Sequence, residues 1–363
     1  MQFFELLQIA VGNRDRFSHT PTMEEWRGLF VSAQKQAMLG VAFRGVERLP
    51  EEQRPHKSLL MQWYMATERV KARNADMDRK TLAVANKFLA EGFRSLVLKG
   101  QGMAQLYKLQ GEEMSLAAYR MSGDIDIWLE GKKEDIIGYI RGYVPECKPV
   151  YHHVDFPVAD GVDIEVHFTP SWMNSPFTNR RLQHFFGAHA FATDEAQEVA
   201  YQTIPVPDMA FNRVYILVHI YRHLFAEGIG LRQLLDYYFV LLHGFTDEER
   251  NATMEVLRSL KMERFAKAVM WVLHHVFGLK EEYMLAAPDA KDGRFLLDEI
   301  MQAGNFGQHD ERMQYEQGES ALHWGLRKVK RNLRFVHSYP SEVLWSPFFK
   351  LWHWIWRKKH QKS

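Results

Sequence analysis

Ser122-Gly123-Asp124-Ile125-Asp126-Ile127-Trp128-Leu129 is the stretch on which the reading of this chain turns. Carboxylate and apolar residues alternate with the period of a half-buried strand, so Asp124 and Asp126 share one face while Ile125 and Ile127 point into a core. Two carboxylates side by side repel, and without a cation one of them is driven towards protonation. A divalent metal removes the conflict. Mg²⁺ takes oxygen ligands and is usually held by one or two carboxylates together with substrate phosphates, the arrangement of a phosphoryl-transfer site. The same pattern also fits an ordinary strand with an acidic solvent face. An EF-hand loop is excluded, because Trp128 stands at the third oxygen position and no Glu follows at the required spacing.

The flanking sequence bears on that choice. Upstream, Ser95-Leu96-Val97-Leu98-Lys99-Gly100-Gln101-Gly102 reads as a buried strand, a turn, and then a helix over 103–109. Glycines there allow close backbone approach to a ligand, the amides at the helix start favour an anion, and Lys99 adds charge. The spacing is not that of a P-loop. Downstream, Val162-Asp163-Ile164-Glu165-Val166-His167-Phe168 alternates again, and Asp160-Gly161 before it signals a hairpin from a strand over 149–156. Asp163, Glu165 and His167 therefore share one face. In Tyr151-His152-His153 the two imidazoles are expected to point to opposite faces of a strand, which argues against their chelating one ion.

Leu98-Lys99-Gly100, Arg120 with Gly123-Asp124-Ile125-Asp126, and Glu165-Val166-His167-Phe168 together resemble the uncharacterised nucleotidyltransferase family of bacteria, a branch of the DNA polymerase β-like superfamily. The resemblance covers about 75 residues. It implies that Asp124, Asp126 and Glu165 hold Mg²⁺ or Mn²⁺, with Asp163 competing for the third position. On that reading Lys99, Gly100 and Gly123 are expected to contact the triphosphate of an NTP, and His167 to act either as a group supporting the ligands or as a base. Gln101 departs from the pattern, since many members of the superfamily carry Gly or Ser there.

Around this centre the chain reads as α+β: a small mixed sheet over 93–170, a helical region over 1–92, and a second helical region over 171–363 with a basic, aromatic tail. Thr22 with Glu25 signals a helix start ahead of Trp26, Leu29 and Phe30, and a long helix is expected over 57–91. His219 and His223 stand one helical turn apart without the neighbouring Glu of a zinc protease. Arg232 and Asp236 are also four apart. They read as a surface ion pair, or else His223 or Arg232 reaches the nucleotide or acceptor.

Apolar residues make up 46% of the 363, enough for an extensive core, and a net charge of +1 gives no global argument for nucleic acid. A single cysteine, Cys147, rules out a disulfide within the chain and suits the cytoplasm. The N-terminal sequence lacks the pattern of a signal peptide, and no run is apolar enough for a membrane span. Residues 344–359 combine Trp, Phe and Lys/Arg, a composition suited to peripheral membrane contact, to an anionic partner, or to docking on the core. The expected activity is transfer of an NMP group from an NTP to an acceptor hydroxyl on a sugar, protein or small molecule, with nucleic acid left open. The alternative is an inactive nucleotidyltransferase-like binding protein acting through its C-terminal segment.

Overall fold

The computed structural model describes the chain except residues 110–114, 190, 192–193, 200–201, 314–320 and 362–363. Four helices come first: α1 (Gln2–Ala10), α2 (Met23–Lys35), α3 (Leu39–Arg48) and the 34-residue α4 (Lys57–Ala90). Thr22 and Glu25 form the expected capping box, in which the Thr22 hydroxyl accepts from the Glu25 amide and the Glu25 carboxylate accepts from the Thr22 amide. Trp63 of α4 is fully buried; its ring meets Trp26 and Phe30 edge-on, and its indole N–H donates to the Leu39 carbonyl at 2.8 Å. The first part of α4 thus anchors the N-terminal helices, and its second part reaches the sheet.

That sheet is built from β1 (Ser95–Val97), β2 (Ile125–Leu129), β3 (His153–Asp155) and β4 (Ile164–His167), in the spatial order β1-β2-β4-β3. Between them run α5 (Gln101–Ala104) and α6 (Lys133–Tyr143). β2 and β4 are parallel, and the other two pairings are antiparallel, which makes the sheet mixed. Register separates the faces. Val97, Ile127, Val166 and Val154 lie abreast and pack against Phe88 of α4 and Ile136 and Ile140 of α6. On the opposite face Leu96, Leu98 and Trp128 join the larger helical core, and the strand positions not filled by these residues carry the acids.

Two expectations need correction. The helix after Gly100 covers Gln101–Ala104, not 103–109, because Tyr107 and Leu109 turn into the core instead of following a helical face. A helix of four residues also has too little aligned dipole to serve as an anion site. The strand before the hairpin is limited to His153–Asp155, since the chain turns at 150–153, where the Val150 amide donates to the His153 carbonyl.

Beyond the sheet come α7 (Pro176–His189), the hairpin of β5 (Asp194–Val199) and β6 (Gln202–Pro207), α8 (Met209–Ala226), α9 (Leu231–Leu242), α10 (Asp247–Ser259), α11 (Glu263–Phe277) and α12 (Ala290–Ala303). The last two helices are α13 (Ala321–Leu333) and α14 (Pro340–His360). α8 and α9 are buried along most of their length and lie over the acidic face of the sheet. Trp128 of β2 stacks on Phe211 of α8, fixing the two layers together. No helix among the described residues is long and apolar enough to cross a membrane.

Candidate active site

Parallel pairing of β2 with β4 places Asp126 directly beside Glu165, and antiparallel pairing of β3 with β4 places Asp155 on the other side of Glu165. His167, two residues along β4, reaches back over the same face. Its Nε2 lies 2.9 Å from Asp126 Oδ1 and 3.4 Å from Glu165 Oε2. His153 Nδ1 approaches the same Glu165 oxygen at 3.1 Å. Lys99, just past β1, sits between the aspartates, its ammonium 3.0 Å from Asp124 Oδ2 and 2.9 Å from Asp126 Oδ2.

The charges explain one another. Burial works against the Lys99 ammonium, but Asp126, Asp124 and Glu165 together raise its affinity for the proton well above the usual lysine range. Burial also pushes Asp124 up, and Lys99 overcomes it, leaving this carboxyl below its ordinary value. Asp126 is raised by burial and by the charge of Asp124, against the pull of Lys99. Burial disfavours charged His167, yet its hydrogen bonds to Asp126 and Glu165 hold it protonated up to about 9. His153 goes the other way, as burial lowers it to about 4 and leaves it neutral at pH 7. Glu165 is disfavoured by burial but held far below the carboxylate range by His167 and the neighbouring cations.

Asp126 is buried, and its Oδ2 faces the Lys99 ammonium at 2.9 Å, an ion pair without the angles of a good hydrogen bond. Among the described residues, Asp126, Glu165 and His167 bring one ligand atom each within 4.8 Å of one another, as do His153, Asp155 and Glu165. Oxygen-rich sets with one imidazole fit Mg²⁺ or Mn²⁺. Asp124, expected as a metal ligand, belongs to neither donor group; it is tied to the site by its ion pair with Lys99 and lines the cavity in front of it. Asp163 lines the same cavity, and its carbonyl accepts from the Ile125 amide, but it belongs to neither donor group.

A second shell of cations lies behind the carboxylates. Arg120 donates twice to Asp236, at 2.7 and 2.8 Å, and the Tyr107 hydroxyl donates to the same carboxylate at 2.6 Å. All three are buried. Asp236 therefore does not pair with Arg232 at the surface; the helical spacing suggested a partner, but Arg120, distant in sequence, takes the carboxylate. Arg232 instead donates to the Met121 carbonyl at 2.9 Å and lies against Gly123, where a Cβ would come 3.3 Å from its Nη1. Gly100 adopts φ +58°, a conformation that favours glycine, as the chain turns from Lys99 into α5. Gln101 is turned away from the carboxylates and hydrogen-bonded to Asp78 of α4.

A cavity of about 830 Å³ opens in front of these groups. Lys99, Gly123, Asp124, Asp163 and Glu165 form one wall, and His223, Glu227 and Phe306 form the other. Phe306 was not foreseen from the sequence. It occupies a single turn after α12 at φ +52° and places its ring 5.3 Å from His223 and 5.4 Å from the Arg232 guanidinium. The His219 ring lies 4.4 Å from that of His223, tilted by 59°, on the helix face turned towards the site.

The pair His152 and His153 also departs from expectation. β3 begins at His153, so strand alternation does not govern His152, and the two rings share a hydrogen bond of 2.9 Å. Ligand atoms of His152, His153 and His167 fall within 4.8 Å of one another. The argument that the two side chains diverge is therefore wrong. Burial lowers His152 well below its ordinary range, so it too is neutral.

No curated protein sequence matches this chain. Among solved structures, an antigenic nucleotidyltransferase-like protein from Paracoccidioides brasiliensis is similar at 10% identity and a TM-score of 0.35, over 63% of this chain and 98% of that one. The model of a family described as uncharacterised nucleotidyltransferase matches residues 22–278, well over half of the sequence, and the chain belongs to that family.

Proposed function

We propose that this protein is a metal-dependent nucleotidyltransferase that moves an NMP group from an NTP to an acceptor hydroxyl. Family membership supports the transfer class. The observation that carries the metal-dependent reading is the pairing of Asp126 with Glu165 across β2 and β4, with His167 in reach of both and the Lys99 ammonium held between Asp124 and Asp126 where a cation is needed. A divalent ion there would neutralise triphosphate charge and make the acceptor hydroxyl more acidic.

The chain's own residues do the positioning. Asp124, Asp126 and Glu165 are the metal ligands in this reading. His167 fixes the orientation of Asp126 and Glu165, and His153 steadies Glu165 from the neighbouring strand. Lys99, on the cavity wall beside the carboxylates, would offer its ammonium to a phosphate oxygen. Gly100 and Gly123 keep the backbone open for the triphosphate, and Arg232 behind Gly123 adds positive charge. The acceptor hydroxyl oxygen forms its bond to the α-phosphorus as the bond from that phosphorus to the bridging oxygen of the β-phosphate breaks; pyrophosphate leaves, and the hydroxyl proton passes to water in the open cavity. Because the reacting groups are anionic, holding them in line and balancing their charge is most of the catalytic task.

The test is a thermal shift with each NTP, with and without Mg²⁺ or Mn²⁺, on wild type and on Asp124→Ala/Asp126→Ala. At about 100 times its Kd a nucleotide adds about 2.7 kcal/mol of stability. Stabilisation that needs both metal and the aspartates is the expected result. A folded wild type that responds to no NTP under any metal condition rejects the proposal.

A further inference from the structure

α14 is amphipathic in an unusual sense, with an apolar surface on both sides. One side docks on the core: Phe349 stacks on Trp172, Trp352 meets Tyr151 edge-on, and Trp345 meets Phe177. The other side carries Leu344, Phe348, Leu351 and Ile355, spaced i, i+4, i+7 and i+11 along one face, with Phe348 64% and Leu351 59% exposed. α13 repeats the pattern, with Leu326, Val329 and Leu333 exposed at i, i+3 and i+7. These two helices hold nearly half of the large apolar side chains exposed among the described residues. Scattered exposed hydrophobics need no explanation, but two such stripes do.

The charge on these helices is one-sided. α13 contains Arg327, Lys328 and Lys330 and no acid, while its fourth cation, Arg331, is buried and turned to Asp310 and the Leu224 carbonyl. α14 contains Lys350, Arg357, Lys358 and Lys359, and its one acid, Glu342, is buried against the Asn174 backbone. The Lys358 ammonium lies 3.7 Å above the ring of Trp354, at the edge of the apolar stripe. The rest of the chain offsets this, since the net charge is only +1.

We infer that the exposed face of α14 is a docking surface for an anionic lipid membrane, on which the protein sits peripherally. Leucine, isoleucine and phenylalanine gain by entering the acyl boundary, Trp352 and Trp354 suit the headgroup level, and the lysines meet the anionic headgroups. A nucleic acid would use the basic and aromatic residues but gives Leu344, Leu351 and Ile355 no partner. A second copy docked face to face would set like charges against each other.

The test is co-sedimentation of the full chain with vesicles of phosphatidylcholine alone or enriched in phosphatidylglycerol, paired with size-exclusion chromatography and an RNA-binding assay. The expected result is binding to the anionic vesicles only, weakened by salt, weakened by roughly tenfold in Lys358→Ser/Lys359→Ser, and lost in Phe348→Asp/Leu351→Asp. Both variants alter exposed residues, so unchanged melting temperatures show that they remain folded. Absence of binding to anionic vesicles overturns the inference, as does binding that survives Phe348→Asp/Leu351→Asp. It is likewise overturned if that variant instead dissolves a dimer or abolishes RNA binding while vesicle binding is absent.

Discussion

Lys99 occupies a position for which an ammonium and a metal ion compete. Its Nζ is about equally distant from Asp124 Oδ2 and Asp126 Oδ2; Asp126 is buried, and Asp124 keeps part of its side chain in the open cavity. Removing the lysine leaves two carboxylates with nothing between them, so the metal-free protein should lose stability while its affinity for a cation rises. Lys99→Ala is therefore expected to melt below wild type without metal, and to gain more from Mn²⁺ alone than wild type does. Equal Mn²⁺ increments in the two proteins would show that the lysine does not stand in for a cation. Asp236 provides a contrasting case, because its partners are structural. Asp236→Ala strands the buried Arg120 guanidinium and removes the acceptor of the Tyr107 hydroxyl. Urea denaturation should show a loss of about 3–5 kcal/mol, whereas Asp236→Asn, which keeps an acceptor oxygen, should lose less.

At the scale of elements, what could be read from the sequence was what depends on local period. The alternation in β2 and β4, the capping box before α2 and the span of α4 are written in neighbouring residues. The site owes its shape to something the sequence does not display, the parallel register that sets Asp126 beside Glu165. Tyr107 was assigned to a helix because its neighbours have helical propensity, but a hydrogen bond to Asp236 and burial in the core outweigh that preference. Phe306 gave no signal, since an isolated aromatic in a loop has no pattern to belong to. α14 was legible only as a choice between docking and exposure, and the helix uses one face for each. Its docked face supplies a pH prediction through Glu342. Burial raises this carboxyl to about 7 from an ordinary 4.5, against the opposing influence of the Asn174 amide and Arg222. Between those values the folded protein holds a proton that the unfolded chain has released, so stability falls as pH rises through this window and levels off above it. Glu342→Gln should flatten the profile and melt higher than wild type at pH about 8, by up to about 3 kcal/mol. Thermal melts across pH about 4 to 8 check it, and parallel profiles for the two proteins would reject it.

For the molecule as a whole, the cavity has two walls with different origins. The carboxylate wall comes from the sheet, whose apolar underside packs on α4 and α6 in a core of its own. The opposite wall, with His223, Glu227 and Phe306, comes from helices that belong to the larger core. Trp128 ties the two layers at one end, by stacking on Phe211, but the cavity itself is bridged by few direct contacts, Arg232 to the Met121 carbonyl among them. A nucleotide held at the carboxylates and long enough to reach Phe306 would link the walls and restrict the opening of both. Hydrogen exchange read by mass spectrometry distinguishes the cases. With NTP and Mn²⁺ together, amides around 123–127 and 163–167 and those around 223–228 and 304–308 should slow together. Metal alone should slow only the first group, because its ligands all lie on the sheet. Protection confined to the sheet even with nucleotide present would mean that the helical wall takes no part in holding it, and that the space in front of Phe306 belongs to the acceptor.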